Sequence, residues 1–177
     1  MNKGIILYKS KYGATKRYVE WLAEETGFDF IETEKTNSME LEKYDVIILG
    51  GGVYASNVAG LKFLKKNISR FDNKKVAVFA VGASPYDETA INQIRERNFK
   101  KELRDVPIFY CRGALNQDKM TFRDRTICKI LYKALLKQNP KTYEPWQKAM
   151  VCAGGNNCDW IDKAYLKPLL DYVKCTE

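Results

Sequence analysis

The chain alternates short, largely apolar runs with stretches of helical spacing. The runs are Gly4–Tyr8, Phe28–Ile31, Asp45–Leu49, Lys75–Val81 and Val106–Cys111. An almost continuous apolar run suits a strand covered on both faces, because successive side chains point to opposite sides of a sheet. Between the runs the spacing changes. Tyr18, Trp21 and Leu22 lead to Gly27, a residue suited to closing a helix. Leu61, Phe63, Leu64 and Ile68 give Val58–Ile68 an apolar stripe, and Glu88–Phe99 is charged and helical. Strand and helix in alternation predict an α/β fold: a parallel sheet with helices on both faces. Five strands at this spacing fit the doubly wound order 2-1-3-4-5, with the second run at an edge. In that topology ligands bind beyond the carboxyl ends of the strands, near the switch between strands one and three.

The pattern changes after Gly113. Asn116–Met120 is polar and loop-like. Thr121–Gln138 predicts a basic amphipathic helix with Ile127, Ile130, Leu131, Ala134 and Leu135 on one side. Asn139–Pro145 is a breaker stretch, and Ala149–Cys152 fits a short extra strand. Asp159 is placed to cap a last helix toward Val173, in which Pro168 must cause a kink or begin a new turn. A chain of 177 residues is expected to form one domain, 1–177, with 113–150 as an insertion or appendage after strand five.

Charge is uneven along this plan. The net charge is +8, and residues 95–141 carry 13 Lys and Arg against 5 Asp and Glu. The rest of the chain is balanced. Such a region suits a solvated face, an acidic protein, an anionic membrane or a nucleic acid. No aromatic-studded RNA motif or reading helix accompanies it, so no nucleic-acid partner is expected. No apolar stretch approaches the ~20 residues of a spanning helix. No signal-peptide pattern opens the chain, so a cytoplasmic location is expected, with room for a peripheral place at a membrane.

Histidine is absent, which excludes Ser–His and Cys–His triads and imidazole metal sites. The five cysteines are irregularly spaced without a C-x-x-C, and free thiols are expected.

The candidate chemistry lies in three loops. Ser10-Lys11-Tyr12-Gly13-Ala14-Thr15 joins strand one to helix one. Hydroxyl residues and a glycine at a helix N-terminus form an anion site, because free backbone N–H groups point outward there. An ordinary capped turn is the alternative. Gly50–Ser56 follows strand three, and its glycines admit positive φ and the close approach of a flat ligand. Gly82-Ala83-Ser84-Pro85-Tyr86-Asp87 follows strand four. Tyr54 and Tyr86 are the aromatics that could cover a ring. These loops follow strands one, three and four, which surround the ligand crevice in this topology.

With these motifs in place, residues 1–112 resemble the flavodoxin family. Its phosphate loop, [ST]-x-T-G-x-T, is matched by S-K-Y-G-A-T at Ser10, Gly13 and Thr15, with Tyr12 departing at the third position. The resemblance implies FMN as cofactor. It implies phosphate contacts from Ser10, Lys11, Tyr12, Gly13, Ala14 and Thr15. It also implies ring contacts from Gly52, Val53, Tyr54 and Ala55, and from Gly82, Ala83, Ser84 and Tyr86. The family's acidic G-D-x-x-x-Y motif is absent from the third loop. The stretch R-G-A-L … T-F-R-D-R-T-I-C-K-I-L-Y-K, with a terminal D-W-I-D, is similar to the flavodoxin-type menaquinone-dependent protoporphyrinogen oxidases.

Two functions follow from the resemblance. One is an FMN oxidoreductase that oxidises a porphyrinogen-like or other reduced substrate and passes electrons to a quinone. The other is a non-catalytic electron carrier that docks on a redox partner protein through its basic face. In either case residues 121–138 are a candidate contact with the partner or with an anionic membrane surface. No side chain is assigned a catalytic role and no metal is expected.

Overall fold

The computed structural model describes residues 3–175. In chain order the sheet region comprises β1 (Gly4–Lys9), α1 (Ala14–Thr26), β2 (Asp29–Glu32), β3 (Val46–Tyr54), β4 (Asn57–Val58), α2 (Leu61–Asn67), β5 (Lys75–Gly82), α3 (Glu88–Asn98) and β6 (Ile108–Arg112). The remainder forms β7 (Ala114–Leu115), α4 (Phe122–Leu135), α5 (Pro145–Ala153), β8 (Cys158–Asp159) and α6 (Lys167–Lys174).

The main strands pair in parallel in the order β2-β1-β3-β5-β6. Leaving aside the hairpin strand β4, this is the expected 2-1-3-4-5, with β2 at an edge. The register sets Leu7 beside Leu49 and Leu49 beside Val78. The strand period of two then divides the core. Ile5, Leu7, Ile47, Leu49, Val78 and Ala80 pack with Leu61, Leu64, Ile94 and Leu103 on one face. Ile6, Tyr8, Ile48, Phe79 and Val81 pack with Tyr18, Val19 and Leu22 of α1 and with Leu169 and Val173 of α6 on the other. The layers are therefore helix, sheet, helix, in a flavodoxin-like α/β fold.

Several elements differ from expectation. Strand three does not stop at Leu49 but continues to Tyr54, and the expected glycine-rich loop is a hairpin in which Val53 pairs with Val58. Ala55 and Ser56 make its turn at φ 47° and 61°. Val58 is buried in that hairpin, so α2 begins later than the apolar stripe suggested, at Leu61. Ala149–Cys152 is not a strand but the second half of α5. Pro145 opens that helix and Gln147 accepts the Glu144 N–H at 2.7 Å, a reciprocal cap that outweighs a short apolar run. Asp159 is not a helix cap. It lies in β8 opposite Ala114, and Asp162 instead caps the following turn by accepting the Ala164 N–H at 2.8 Å. Pro168 stands in the first turn of α6, where its missing N–H disturbs no hydrogen bond.

Asn98, buried at the end of α3, holds the hairpin. Its Oδ1 accepts the Val58 N–H at 3.2 Å, and its Nδ2 donates to the carbonyls of Ser56 at 2.6 Å and Ile94 at 2.8 Å. Asn98→Ala leaves the buried Val58 N–H unsatisfied, and such a buried orphan costs about 1–3 kcal/mol. The variant is expected to lose about that much stability in urea unfolding, with faster amide exchange at Val58. Unchanged stability and exchange would contradict this role.

Candidate functional site

The sheet register brings the carboxyl ends of the strands to one edge. Lys9 lies beside Gly51, Gly52 beside Val81, and Gly82 beside Arg112. The loops after β1, β3 and β5 are therefore neighbours.

At the first loop, Gly13 adopts φ 95°, a left-handed conformation that a side chain would strain. A Cβ built there would meet nothing within 4 Å, so the loop faces open space. Ser10 Oγ accepts the Gly13 N–H at 3.2 Å, and the Gly13 carbonyl accepts the Arg17 N–H at 3.1 Å. This turns the chain into α1 with the N–H groups of Ala14, Thr15 and Lys16 in its first turn, beyond the reach of any intrahelical carbonyl. Thr15 is buried behind them. The arrangement leaves these donors free at the start of a helix, the geometry that suits an anion.

Lys11 and Tyr12 already engage an anion. Both donate to the carboxylate of Asp124, in the first turn of α4. The Lys11 ammonium and the Tyr12 hydroxyl hold the Asp124 carboxyl below the usual carboxylate range, and the same contacts raise the Lys11 pKa. Asp124 was not legible as a site residue. It reads as a first-turn acid of a helix whose N-cap, Thr121, accepts the Asp124 N–H at 3.3 Å. No sequence signal ties it to a loop more than a hundred residues away.

The second loop closes inward. The Tyr54 ring folds back over Gly52, where a Cβ would come within 2.9 Å of it. A Cβ on Gly51 would lie 2.1 Å from the carbonyl oxygen of Ala59, just after the returning strand β4. Gly50, Gly51 and Gly52 have no positive φ. Their role in the protein is close packing, rather than the unusual backbone conformation expected of them. Val53 is half-buried in the hairpin and Ala55 is exposed at its tip. Burial raises the Tyr54 phenol pKa, and Tyr12, Lys11 and Asp124 lie near enough to act on it. Tyr54, Lys11, Tyr12 and Asp124 thus gather at one place.

The third loop is held by β6. Tyr110 donates to the Ser84 carbonyl at 2.7 Å, Arg112 Nε donates to the Ala83 carbonyl at 3.3 Å, and the Gly113 N–H donates to the Gly82 carbonyl at 2.7 Å. Tyr86 meets the Tyr110 ring edge-on, 6.5 Å between centroids, and is itself exposed. The Arg112 guanidinium lies 4.4 Å from the centre of the Trp160 ring. Tyr110 and Arg112 escaped the sequence reading because they lie in or beside an apolar run that announces only a strand. Cys111, between them, is buried, which pushes its thiol up to about 12 and leaves it no nucleophile at neutral pH. A hollow lined by Phe28, Phe30, Thr36 and Tyr44 lies beside edge strand β2, away from these loops.

A doubly wound sheet in this strand order, with a glycine turn opening its first helix, is the architecture of flavodoxin-type proteins. Residues 5–142 match the flavodoxin domain family, and the chain belongs to it. The uncharacterized protein MJ0298 of Methanocaldococcus jannaschii is 30% identical over 115 residues, which cover 63% of this chain and 75% of its own. Among solved structures, the flavodoxin, WrbA-like protein from Agrobacterium tumefaciens is 16% identical, with a TM-score of 0.46. That alignment covers 71% of this chain and 88% of the other. A flavodoxin from the domain Archaea is 19% identical, with a TM-score of 0.43, covering 72% of this chain and 92% of its own.

Tyr110→Phe removes the restraint on the third loop without changing the ring. Loss of one such bond is expected to cost about 1 kcal/mol. Amide exchange should quicken at Ser84, Tyr86 and Asp87 and stay constant at the β5 core. Equal exchange across loop and core in variant and wild type would contradict the restraint.

Proposed function

We propose that the protein binds FMN and works as a redox flavoprotein. The observation that carries this is the turn at Gly13. It combines an open left-handed glycine, uncommitted first-turn N–H groups and neighbouring hydroxyls, at the strand end where the flavodoxin family holds its cofactor phosphate. The residues fit the group. Ser10, Lys11, Tyr12, Gly13, Ala14 and Thr15 supply backbone, hydroxyl and ammonium donors to a phosphate. Lys11 and Tyr12 already bind a carboxylate. Gly52, Val53, Tyr54 and Ala55 on one side, and Gly82, Ala83, Ser84 and Tyr86 on the other, flank the place for the ring. When bound, the flavin supplies one- and two-electron transfer.

The chain's own residues bind, orient and tune. The loop at Gly13 fixes the phosphate end. Tyr54 and Tyr86 offer aromatic faces to a flat ring. Tyr110 and Arg112 hold the third loop in shape. A phosphate would compete with Asp124 for Lys11 and Tyr12, so Asp124 tempers affinity for that end of the cofactor.

The finer reading is oxidation of a porphyrinogen-like or other reduced substrate with a quinone as acceptor. It is supported by the similarity of R-G-A-L and the basic helix after it to the menaquinone-dependent enzymes. The second reading, a carrier docking on a redox partner protein, is supported by the concentration of positive charge in residues 95–141. Anaerobic mixing of flavin-loaded protein with protoporphyrinogen, with and without a quinone analogue, separates them. Catalytic turnover supports the enzyme, whereas no substrate oxidation supports the carrier.

Gly13→Val forces a branched side chain into the left-handed turn. It is expected to weaken FMN binding by about tenfold or more, while riboflavin, which lacks the phosphate, changes little. Asp124→Asn should tighten FMN several-fold and leave riboflavin unchanged. Quenching of flavin fluorescence measures both. No flavin uptake by the purified protein, or equal losses for FMN and riboflavin, would overturn the reading.

A further inference from the structure

We propose that α4 is an interfacial helix that docks the protein on membranes rich in anionic lipid. The first observation is the way the helix is turned. Sequence pattern places Ile127, Ile130, Leu131, Ala134 and Leu135 on one side, suited either to a core or to an interface. In the structure only Leu135 of these is buried. The face toward the protein is made by Asp124, on the loop after β1, and by the half-buried Cys128 and Tyr132 together with Leu135. With ~3.6 residues per turn, Leu131 borders that face, and Ile127, Ala134 and Ile130 continue from it around one flank of the helix toward solvent. Ile130 is 63% exposed, Ile127 49% and Leu131 40%, and Phe122 at the start of the helix is 84% exposed. An apolar stripe this exposed departs from the usual helix, whose apolar side faces the core.

The second observation is charge. Arg123, Lys129, Lys133 and Lys137 are exposed, and their side chains make no hydrogen bond or ion pair among the described residues. Asp124 is the helix's one acid, and it is turned inward on Lys11 and Tyr12. Arg125 does not belong to the docking set. Its guanidinium holds the carbonyls of Gln117 at 2.9 Å, Asp118 at 3.1 Å and Met120 at 3.2 Å. The outer surface of α4 is thus apolar and cationic.

A bilayer surface fits this combination. A single convex helix offers no groove for a peptide, but it can lie flat with its apolar stripe at the acyl boundary. Lys and Arg stems cover apolar surface while their charged ends reach outward, here to lipid phosphates. Anionic lipid complements the four cations, of which Lys129 has an acid, Asp118, lining the same hollow. No helix among the described residues is long and apolar enough to cross a membrane, so the contact is peripheral. The N-terminal turn of α4 touches the loop after β1, so docking sets the strand-end loops near the lipid surface. The docking claim itself does not rest on the flavin reading, because it uses only α4.

The test is co-sedimentation of the full chain with sucrose-loaded vesicles, either phosphatidylglycerol and phosphatidylcholine in equal parts or phosphatidylcholine alone. Binding is expected to the anionic vesicles, to be weak on the neutral ones, and to fall steeply between low and high salt. Lys129→Gln, Lys133→Gln and Lys137→Gln together should lower partition about a hundredfold. Ile127→Ser with Ile130→Ser, which keeps the charge, should also weaken it. These side chains are exposed, so both variants should keep the wild-type melting temperature, which checks folding. No binding to anionic vesicles, or equal binding by wild type and both variants, would overturn the proposal. So would a concentration-dependent dimer without lipid that Ile130→Ser abolishes, since the stripe would then belong to a second copy of the chain.

Discussion

The parallel pairing of β1, β3 and β5 is the constraint on which the structure depends. These strands are buried on both faces, with Leu7, Leu49 and Val78 fully covered on one side and Ile6, Ile48 and Phe79 on the other. A slip of one residue would exchange these two sets, so the hydrophobic pattern fixes the register. Parallel strands at fixed register end together. That is why the turns after Lys9, Tyr54 and Gly82 are neighbours, and why residues far apart in sequence can form one site.

The part of the chain beyond the sheet acts on that site from outside. β7 and β8 pair, the Trp160 N–H donates to the Gly113 carbonyl at 3.1 Å, and Asp159 takes Arg17 of α1 at 2.6 Å. These contacts tie the return of the chain to the start of the first helix. Asp124 adds a tie from α4 to Lys11 and Tyr12. The loop after β1 and an exposed cationic helix are therefore joined through one carboxylate. Any anion that takes Lys11 and Tyr12 must contend with the helix that already holds them.

Much of the fold was legible because it rests on local periodicity. The five apolar runs became the five parallel strands, and Gly13 and Gly27 bound the first helix as their positions suggested. The second strand, weakest in apolar content, fell at the edge. Legibility failed where long-range packing decides. The three glycines after Leu49 read as a loop, yet they extend β3 because Ala59 and the Tyr54 ring come too close for any side chain. Ala149–Cys152 looked like a strand because four residues carry no period, whereas the cap at Glu144 and Gln147 made a helix. The amphipathic pattern of α4 was visible, but which face turns outward depends on Asp124 and Leu135. In the site, the turn after β1 was visible as a motif. Tyr110, Arg112 and Asp124 were not, because their partners are carbonyls and side chains that no local pattern can name.

Whether the turn at Gly13 receives a flavin phosphate can be read by NMR. FMN is added to ¹⁵N-labelled protein while the amide spectrum and the ³¹P resonance of the cofactor are followed. The account predicts large shifts at the amides of Gly13, Ala14 and Thr15, with a displaced and broadened phosphorus signal; riboflavin should leave those three amides nearly still. Bound FMN with a free-solution phosphorus signal and unmoved Gly13–Thr15 amides would contradict it.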